Sequence, residues 1–220
     1  MASRTKKFAV RGSDRGAERK PRAERWIEIL DAAAKCFFEK GYDAASLQDI
    51  ADRVGILKGS IYYYIKTKPD LRDALLLEVH NEGLARIKAL AETPGNALVK
   101  LEAMIRGHVR YIAQNLEKTT VYLMELKSVP KKGGLFDKQE YRNVFRDVIR
   151  EGQKEGTLLS DLDPGLTAQA MLGAVNSLYH WYRPRRNRPV EPILEHFVTV
   201  LLRGHASDAA LKELLGITPR

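Results

Sequence analysis

The stretch Ser46 to Lys68, SLQDIADRVGILKGSIYYYIKTK, limits the fold more tightly than any other part of the chain. Leu47, Ile50, Ala51 and Val54 recur at i, i+3, i+4 and i+7, which gives a short helix one buried face. Ser46 precedes that stripe as an N-cap, and Asp49 stands three residues on, within reach of the Ser46 backbone N–H. Gly55 follows Val54, where a helix stop needs a residue that tolerates positive φ. A second helix is predicted from Lys58 to Ile65, with Ile61 and Ile65 one turn apart and facing inward. Lys58, Ser60 and the run Tyr62, Tyr63, Tyr64 then face outward. Two short helices about a glycine turn, the second with a polar and aromatic outer face, are the parts of a helix-turn-helix. An ordinary helical hairpin leaves three consecutive tyrosines beside Lys58 and Lys68 unexplained.

Before this stretch, residues 1–21 hold Gly12, Gly16 and Pro21 without apolar periodicity and read as a flexible arm. From Arg22 to Lys40, the residues Ile27, Leu30, Ala34 and Phe37 repeat at helical spacing, and Gly41 ends the helix. After it, Thr67-Lys68-Pro69-Asp70-Leu71 opens a long helix to about Ala91, with proline in the first turn. Thr93-Pro94-Gly95-Asn96 is a break. Further helices are predicted from Leu98 to near Asn115, from Thr120 to Lys127, and from Leu135 to Glu155. Asp163-Pro164 starts another, expected to run to Arg183, where Pro184 stops it. The last, Val190 to about Arg203, is apolar on nearly every side, so it needs a second covered face, which a second copy of the chain supplies. Alternating strands with hairpin turns are missing, and the chain reads all-α.

At 220 residues and 44% hydrophobic content the chain has room for a core. It lacks both an apolar run of about 18 residues and a signal-peptide core, so a cytoplasmic protein without membrane contact is expected. The single cysteine, Cys36, reads as a packed thiol. The net charge of +9 is uneven: residues 1–25 carry +6, whereas residues 26–68 are neutral. The arm is then either a disordered tail or an electrostatic grip on phosphates. The five histidines show no ligand spacing for a metal, and the chain lacks a G-x-S-x-G, a P-loop and a dinucleotide fingerprint. No cofactor is implied, and an enzyme is not expected.

The helix-turn-helix residues carry a family resemblance. Ser46, Asp49, Ile50, Ala51, Gly55, Ile56, Gly59, Ser60, Ile61, Tyr62, Lys66 and Lys68 resemble the DNA-binding motif of the TetR family of bacterial transcriptional regulators. Tyr64 stands where the family usually has histidine, and Ile65 where it has phenylalanine. The resemblance implies a helix-turn-helix domain over 22–68 and a ligand-binding and dimerisation domain over 69–220. It implies a homodimer on double-stranded, palindromic operator DNA, released by a small-molecule effector. It also implies a DNA-contacting set of Gln48, Lys58, Gly59, Ser60, Tyr62, Tyr63, Tyr64 and Lys68. Tyr62, Tyr64 and Lys68 would meet phosphates, and Tyr63 and Lys58 base edges. Amphipathic packing is the alternative for each tyrosine, above all for Tyr62.

Polar groups inside otherwise apolar helices of the C-terminal half suit an effector pocket. The candidates are His108, Tyr111, Tyr122, Glu125, Tyr141, Arg142, Asn176, Tyr179, His180, Trp181 and Arg183. The alternative for any of them is a core residue with satisfied hydrogen bonds. The segment around Trp181 to Pro184 is similar to the branch of the family that senses acyl-CoA and steroid-derived CoA thioesters, which implies an effector from lipid or steroid catabolism, a CoA thioester or another lipophilic acid. On that resemblance Arg183, Arg185, Arg186 and Arg188 would meet CoA phosphates; as a bare sequence they equally form a solvated loop. Two rival readings stand: a helical ligand-binding or enzymatic protein acting on acyl-CoA-like molecules, and a nonspecific nucleic-acid binder driven by the arm.

Overall fold

The computed structural model describes residues 21–129, 134–184 and 189–215, which form eleven helices and one isolated antiparallel bridge, Leu158 with Ala206. Residues 1–20 of the arm and Arg185, Arg186 and Arg188 lie outside the described residues. The all-α expectation holds. Helix α1 spans Arg22–Lys40, α2 Leu47–Val54 and α3 Lys58–Ile61. In α1 the buried face runs through Ile29, Leu30, Ala33 and Phe37, while Ile27, placed in the predicted stripe, is 53% exposed. At α2 the predicted capping box forms: Ser46 Oγ accepts from the Asp49 N–H, and the Asp49 carboxylate accepts from the Ser46 N–H. Gly55 closes α2 in the left-handed region at φ 72°.

The long helix α4 (Lys68–Ala91) begins with a second capping box, Thr67 with Asp70, and has proline in its first turn. It continues from the small N-terminal core into the larger one. The first core gathers Leu30, Phe37, Ile50, Ala51, Ile61 and Leu71, and also takes Tyr111 and Val121 from the helices behind it. The second core is built from α4 and α5 (Ala97–Gln114), α7 (Glu140–Glu155), α8 (Pro164–Asn176) and α10 (Val190–Arg203). Between the two cores lies α6 (Leu116–Glu125), packed on both α1 and α4.

Several boundaries differ from expectation, among them those of α6, which runs from Leu116 to Glu125 and not from Thr120 to Lys127. Helix α3 is one turn long: beyond Ile61 the backbone tightens, with Tyr63 N–H on Ser60 O and Tyr64 N–H on Ile61 O. Helix α7 starts five residues late, because Asp137 forms a turn in which its carboxylate accepts the Gln139 N–H and its carbonyl the Glu140 N–H. The helix expected from Pro164 to Arg183 breaks at Ser177, whose hydroxyl donates back to Ala174 O at 2.7 Å. Beyond the break, Leu178–Trp181 forms a separate turn, α9. A final helix, α11 (Asp208–Leu215), was not anticipated, although Ser207 and the apolar Ala210 and Leu211 announce it.

Candidate functional site

Two places combine exposure with organised polar chemistry. The first is the outer face of the helix-turn-helix. Gln48, Lys58, Gly59 and Ser60 are all exposed, as are Tyr62 at 50% and Tyr63 at 69%. The Arg22 guanidinium lies 5.1 Å over the Tyr63 ring, and Tyr63 meets Tyr64 edge to face at 5.3 Å. Tyr64 is the tyrosine that packs on the head core; Tyr62 does not. Leu57, overlooked in the sequence, stands 81% exposed at the N-cap of α3 and gives that helix no side-chain cap.

Lys68, contrary to expectation, is turned toward the α1–α2 link. Its ammonium donates to three carbonyls of the α1–α2 link, Tyr42 O at 2.8 Å, Asp43 O at 3.0 Å and Ala45 O at 2.9 Å. It also lies 4.5 Å from the Tyr42 ring centroid. All three N–H donors of the ammonium are therefore spent inside the head, and none is left for a phosphate.

The second place is a cavity of about 470 Å³ between α4, α5, α6, α7 and α8. Of the pocket candidates, His108, Tyr111, Tyr122, Tyr141, Arg142 and Asn176 line it. At its centre Tyr141 Oη lies 2.7 Å from His108 Nδ1, and His108 Nε2 lies 2.8 Å from Asn176 Oδ1. The carboxamide oxygen accepts from Nε2–H, so Nδ1 is the lone-pair nitrogen and the phenol donates to it. Burial lowers the His108 pKa to about 4, against a smaller opposing pull from the Asn176 bond, and this fixes the ring as neutral. Burial likewise raises Tyr141 well above the usual phenol range and pushes Tyr122 up to about 12.

A second neutral pair, His80 Nδ1 with Tyr122 Oη at 3.0 Å, closes the opposite wall, and Phe136 stacks on His80 at 3.9 Å. His80 had no sequence signal beyond being one of five histidines; only the fold sets it beside Tyr122. Gln169, three helical residues from Leu172, was missed for the same reason.

Five pocket candidates lie elsewhere. Glu125 ends α6 at the head, 4.0 Å from Arg72. Tyr179 and His180 pack on each other at 3.7 Å. Trp181 is 48% exposed, with its indole N–H on Ser177 Oγ, and Arg183 donates to the Tyr182 carbonyl at 2.7 Å. All four C-terminal misses lie beyond the break at Ser177, where α9 is a separate turn and none of its residues lines the cavity.

The profile of bacterial regulatory proteins of the tetR family matches residues 29–75, and that of the tetracyclin repressor-like C-terminal domain matches residues 94–205. The chain belongs to the TetR family. It is a DNA-binding transcriptional regulator, and the enzymatic alternative falls with that membership. The repressor KstR2 of Mycobacterium tuberculosis is 28% identical over 181 residues, covering 80% of this chain and 90% of that protein. The structure of that ketosteroid transcriptional regulator superposes with a TM-score of 0.77 at 26% identity, over 83% of this chain and 95% of that one. The fatty acid metabolism regulator protein of Bacillus subtilis is 26% identical over 71% of this chain and 82% of its own. AibR, solved with isovaleryl coenzyme A and operator DNA, shares the fold at a TM-score of 0.73 and 22% identity, over 81% of this chain and 98% of that one.

In this TetR-family chain the head and the cavity share helices. One face of α6 supplies Thr119, Tyr122 and Leu123 to the cavity. From the same helix Lys118 bridges Asp31 of α1 at 2.7 Å and Glu78 of α4 at 2.8 Å. Trp181, Pro192, Ile193 and Phe197 form an apolar surface dip, and Val200, on the same helix as the last three, is 54% exposed. Among the described residues no helix is long and apolar enough to cross a membrane, and no side-chain cluster could hold a metal ion.

Proposed function

We propose that this TetR-family regulator is a homodimeric repressor of a palindromic operator, released when a CoA thioester places its acyl part in the cavity. The observation that carries the proposal is that the cavity lies between α4 and α6, the helices that also hold the head. The first residue of α4, Lys68, grips the α1–α2 link, and Lys118 of α6 grips α1. A ligand that spreads those two helices changes the setting of the head, and binding that favours one setting shifts the population toward it. Residues 22–68 act as the reading head and residues from 69 onward as effector and dimer body. Lys58, Tyr62 and Tyr63, with Gln48 and Ser60 beside them, form the reading surface; Tyr64 braces it.

The CoA class is supported by the relatives: AibR was solved with an acyl-CoA and operator DNA, and KstR2 is a ketosteroid regulator. The cavity agrees in being mostly apolar with few oriented polar groups. The test is a mobility shift on DNA flanking the gene, with and without a panel of acyl-CoA thioesters. Release of the DNA by at least one thioester is expected, along with thermal stabilisation of about 2.7 kcal/mol at 100 times its Kd. Binding that no thioester alters, with no thermal response, would sink the effector assignment. Full operator binding by Lys58→Ala combined with Tyr63→Ala would sink the reading surface.

A further inference from the structure

We infer that the part of the effector lodged against His108, Tyr141 and Asn176 carries an uncharged oxygen group, a ketone or a hydroxyl, and that a free carboxylate is rejected there. The inference rests on the cavity being the effector site and specifies the chemistry of what enters it.

The charges of the cavity lining are all in one place. Among its lining residues only Asp137, Lys138 and Arg142 are charged, and all belong to the segment 137–142. Gln139 and Gln169, which join them, are exposed, so this end is the mouth. The interior holds neutral groups alone: His80 with Tyr122 on one wall, and Tyr141, His108 and Asn176 on the other.

The second group is polarised by its own bonding. Both His108 nitrogens are taken, one by the Tyr141 hydroxyl at 2.7 Å and one by Asn176 Oδ1 at 2.8 Å. The side-chain oxygen of Asn176 is thereby committed, and its N–H groups have no partner among the described residues. Tyr141 gives its proton to His108 and keeps lone pairs on Oη. This wall therefore offers amide N–H donors beside a phenolic acceptor. A ketone accepts from Asn176; a hydroxyl also donates to Tyr141. A hydrocarbon leaves the donors unpaired, and a carboxylate must shed its water with no cation to meet it. A histidine serving only the core would not need a carboxamide with unused donors beside it at a cavity wall.

The experiment compares 1-tetralone, tetralin and tetralin-1-carboxylate, three small molecules on one bicyclic skeleton, by ligand-observed NMR titration of the full chain. The ketone is expected to bind about tenfold tighter than the hydrocarbon, and the carboxylate to bind weaker than either. Asn176→Leu is expected to reduce the ketone's advantage to within about twofold while hydrocarbon affinity stays, and Tyr141→Phe to leave the ketone's advantage larger than Asn176→Leu does. Equal affinity of the wild-type chain for ketone and hydrocarbon, tightest binding of the carboxylate, or no binding of any of the three overturns the inference. The wild-type comparison needs no variant to fold. DNA is not involved, so a ketone preference without operator release sinks only the repressor proposal, and release by a thioester without that preference sinks only this one.

Discussion

Lys68 shows how a motif residue can be recognised by its letter and still be assigned the wrong job. Its position in the motif suggested a phosphate; its surroundings give it three carbonyls at 2.8 to 3.0 Å. A charge-assisted hydrogen bond contributes roughly 1.5–3 kcal/mol, reduced here because the link is only partly buried. Lys68→Met is expected to lower stability by about 1–3 kcal/mol in urea unfolding, while operator affinity measured in the cold falls far less than for Lys58→Ala. A loss of affinity equal to that of Lys58→Ala, at unchanged stability, would restore the phosphate role. Leu57 gives the opposite expectation. Leucine is among the poorest N-caps and serine among the best, so Leu57→Ser should raise the urea midpoint, by about 0.5–1 kcal/mol of stability. His108 sets a pH dependence. Its folded pKa is about 4 against 6.5 for a free imidazole, so the neutral ring's contribution is complete above 6.5. That contribution is lost as pH falls from 6.5 towards 4, because the unfolded chain then binds a proton that the folded chain refuses. The loss is on the order of 3 kcal/mol. Urea unfolding between pH 7 and 4 should show a steeper decline for the wild type than for His108→Gln.

At the scale of elements, local signals decided what could be read in advance. Capping boxes at Ser46 and Thr67, Gly55 after Val54, and Asp163-Pro164 before α8 are written in adjacent letters, and each marks a helix end as expected. The misses have non-local or weakly written causes. Nothing in the apolar pattern distinguishes Ser177 from a serine that continues a helix, yet its hydroxyl bonds back to Ala174 and α8 ends there. Tyr179, His180, Trp181 and Arg183 all lie beyond that break. The polar heart of the cavity was half legible: His108, Tyr141 and Asn176 each stood out as polar groups on apolar helices, but their meeting joins residues 33 and 68 positions apart. Gly152 of α7 makes the helix packing of the larger core testable. A Cβ there would lie 2.7 Å from Leu158 Cγ and 2.9 Å from Ala97 Cβ, so the helix approaches its neighbours more closely than alanine allows. Gly152→Ala should cost about 1–3 kcal/mol of stability by thermal or urea unfolding, although alanine is the better helix former. A gain in stability would mean that Leu158 swings aside without cost.

At the scale of the whole molecule, the neutral charge of residues 26–68 favours binding by two copies. A head with almost no surplus charge and a one-turn second helix would make few phosphate contacts, so a single head should hold DNA weakly. Two heads on one duplex multiply their affinity through effective concentration, provided that the helices behind them fix the spacing. The apolar surface of Trp181, Ile193, Phe197 and Val200 is the face we assign to that contact, because α10 buries Leu194, Val198, Leu201 and Leu202 on its other side. Val200 is 54% exposed, so Val200→Glu should change the stability of one folded copy by no more than about 0.5 kcal/mol. Between two copies the same carboxylate would be buried without a partner. Sedimentation should show the variant as a monomer with an unaltered helical spectrum, and operator affinity should fall about 100-fold or more. The loss should be common to all operators and leave the order of preference among them intact, since the reading surface of each head is untouched. A variant that remains dimeric at full affinity would place the dimer contact on another face.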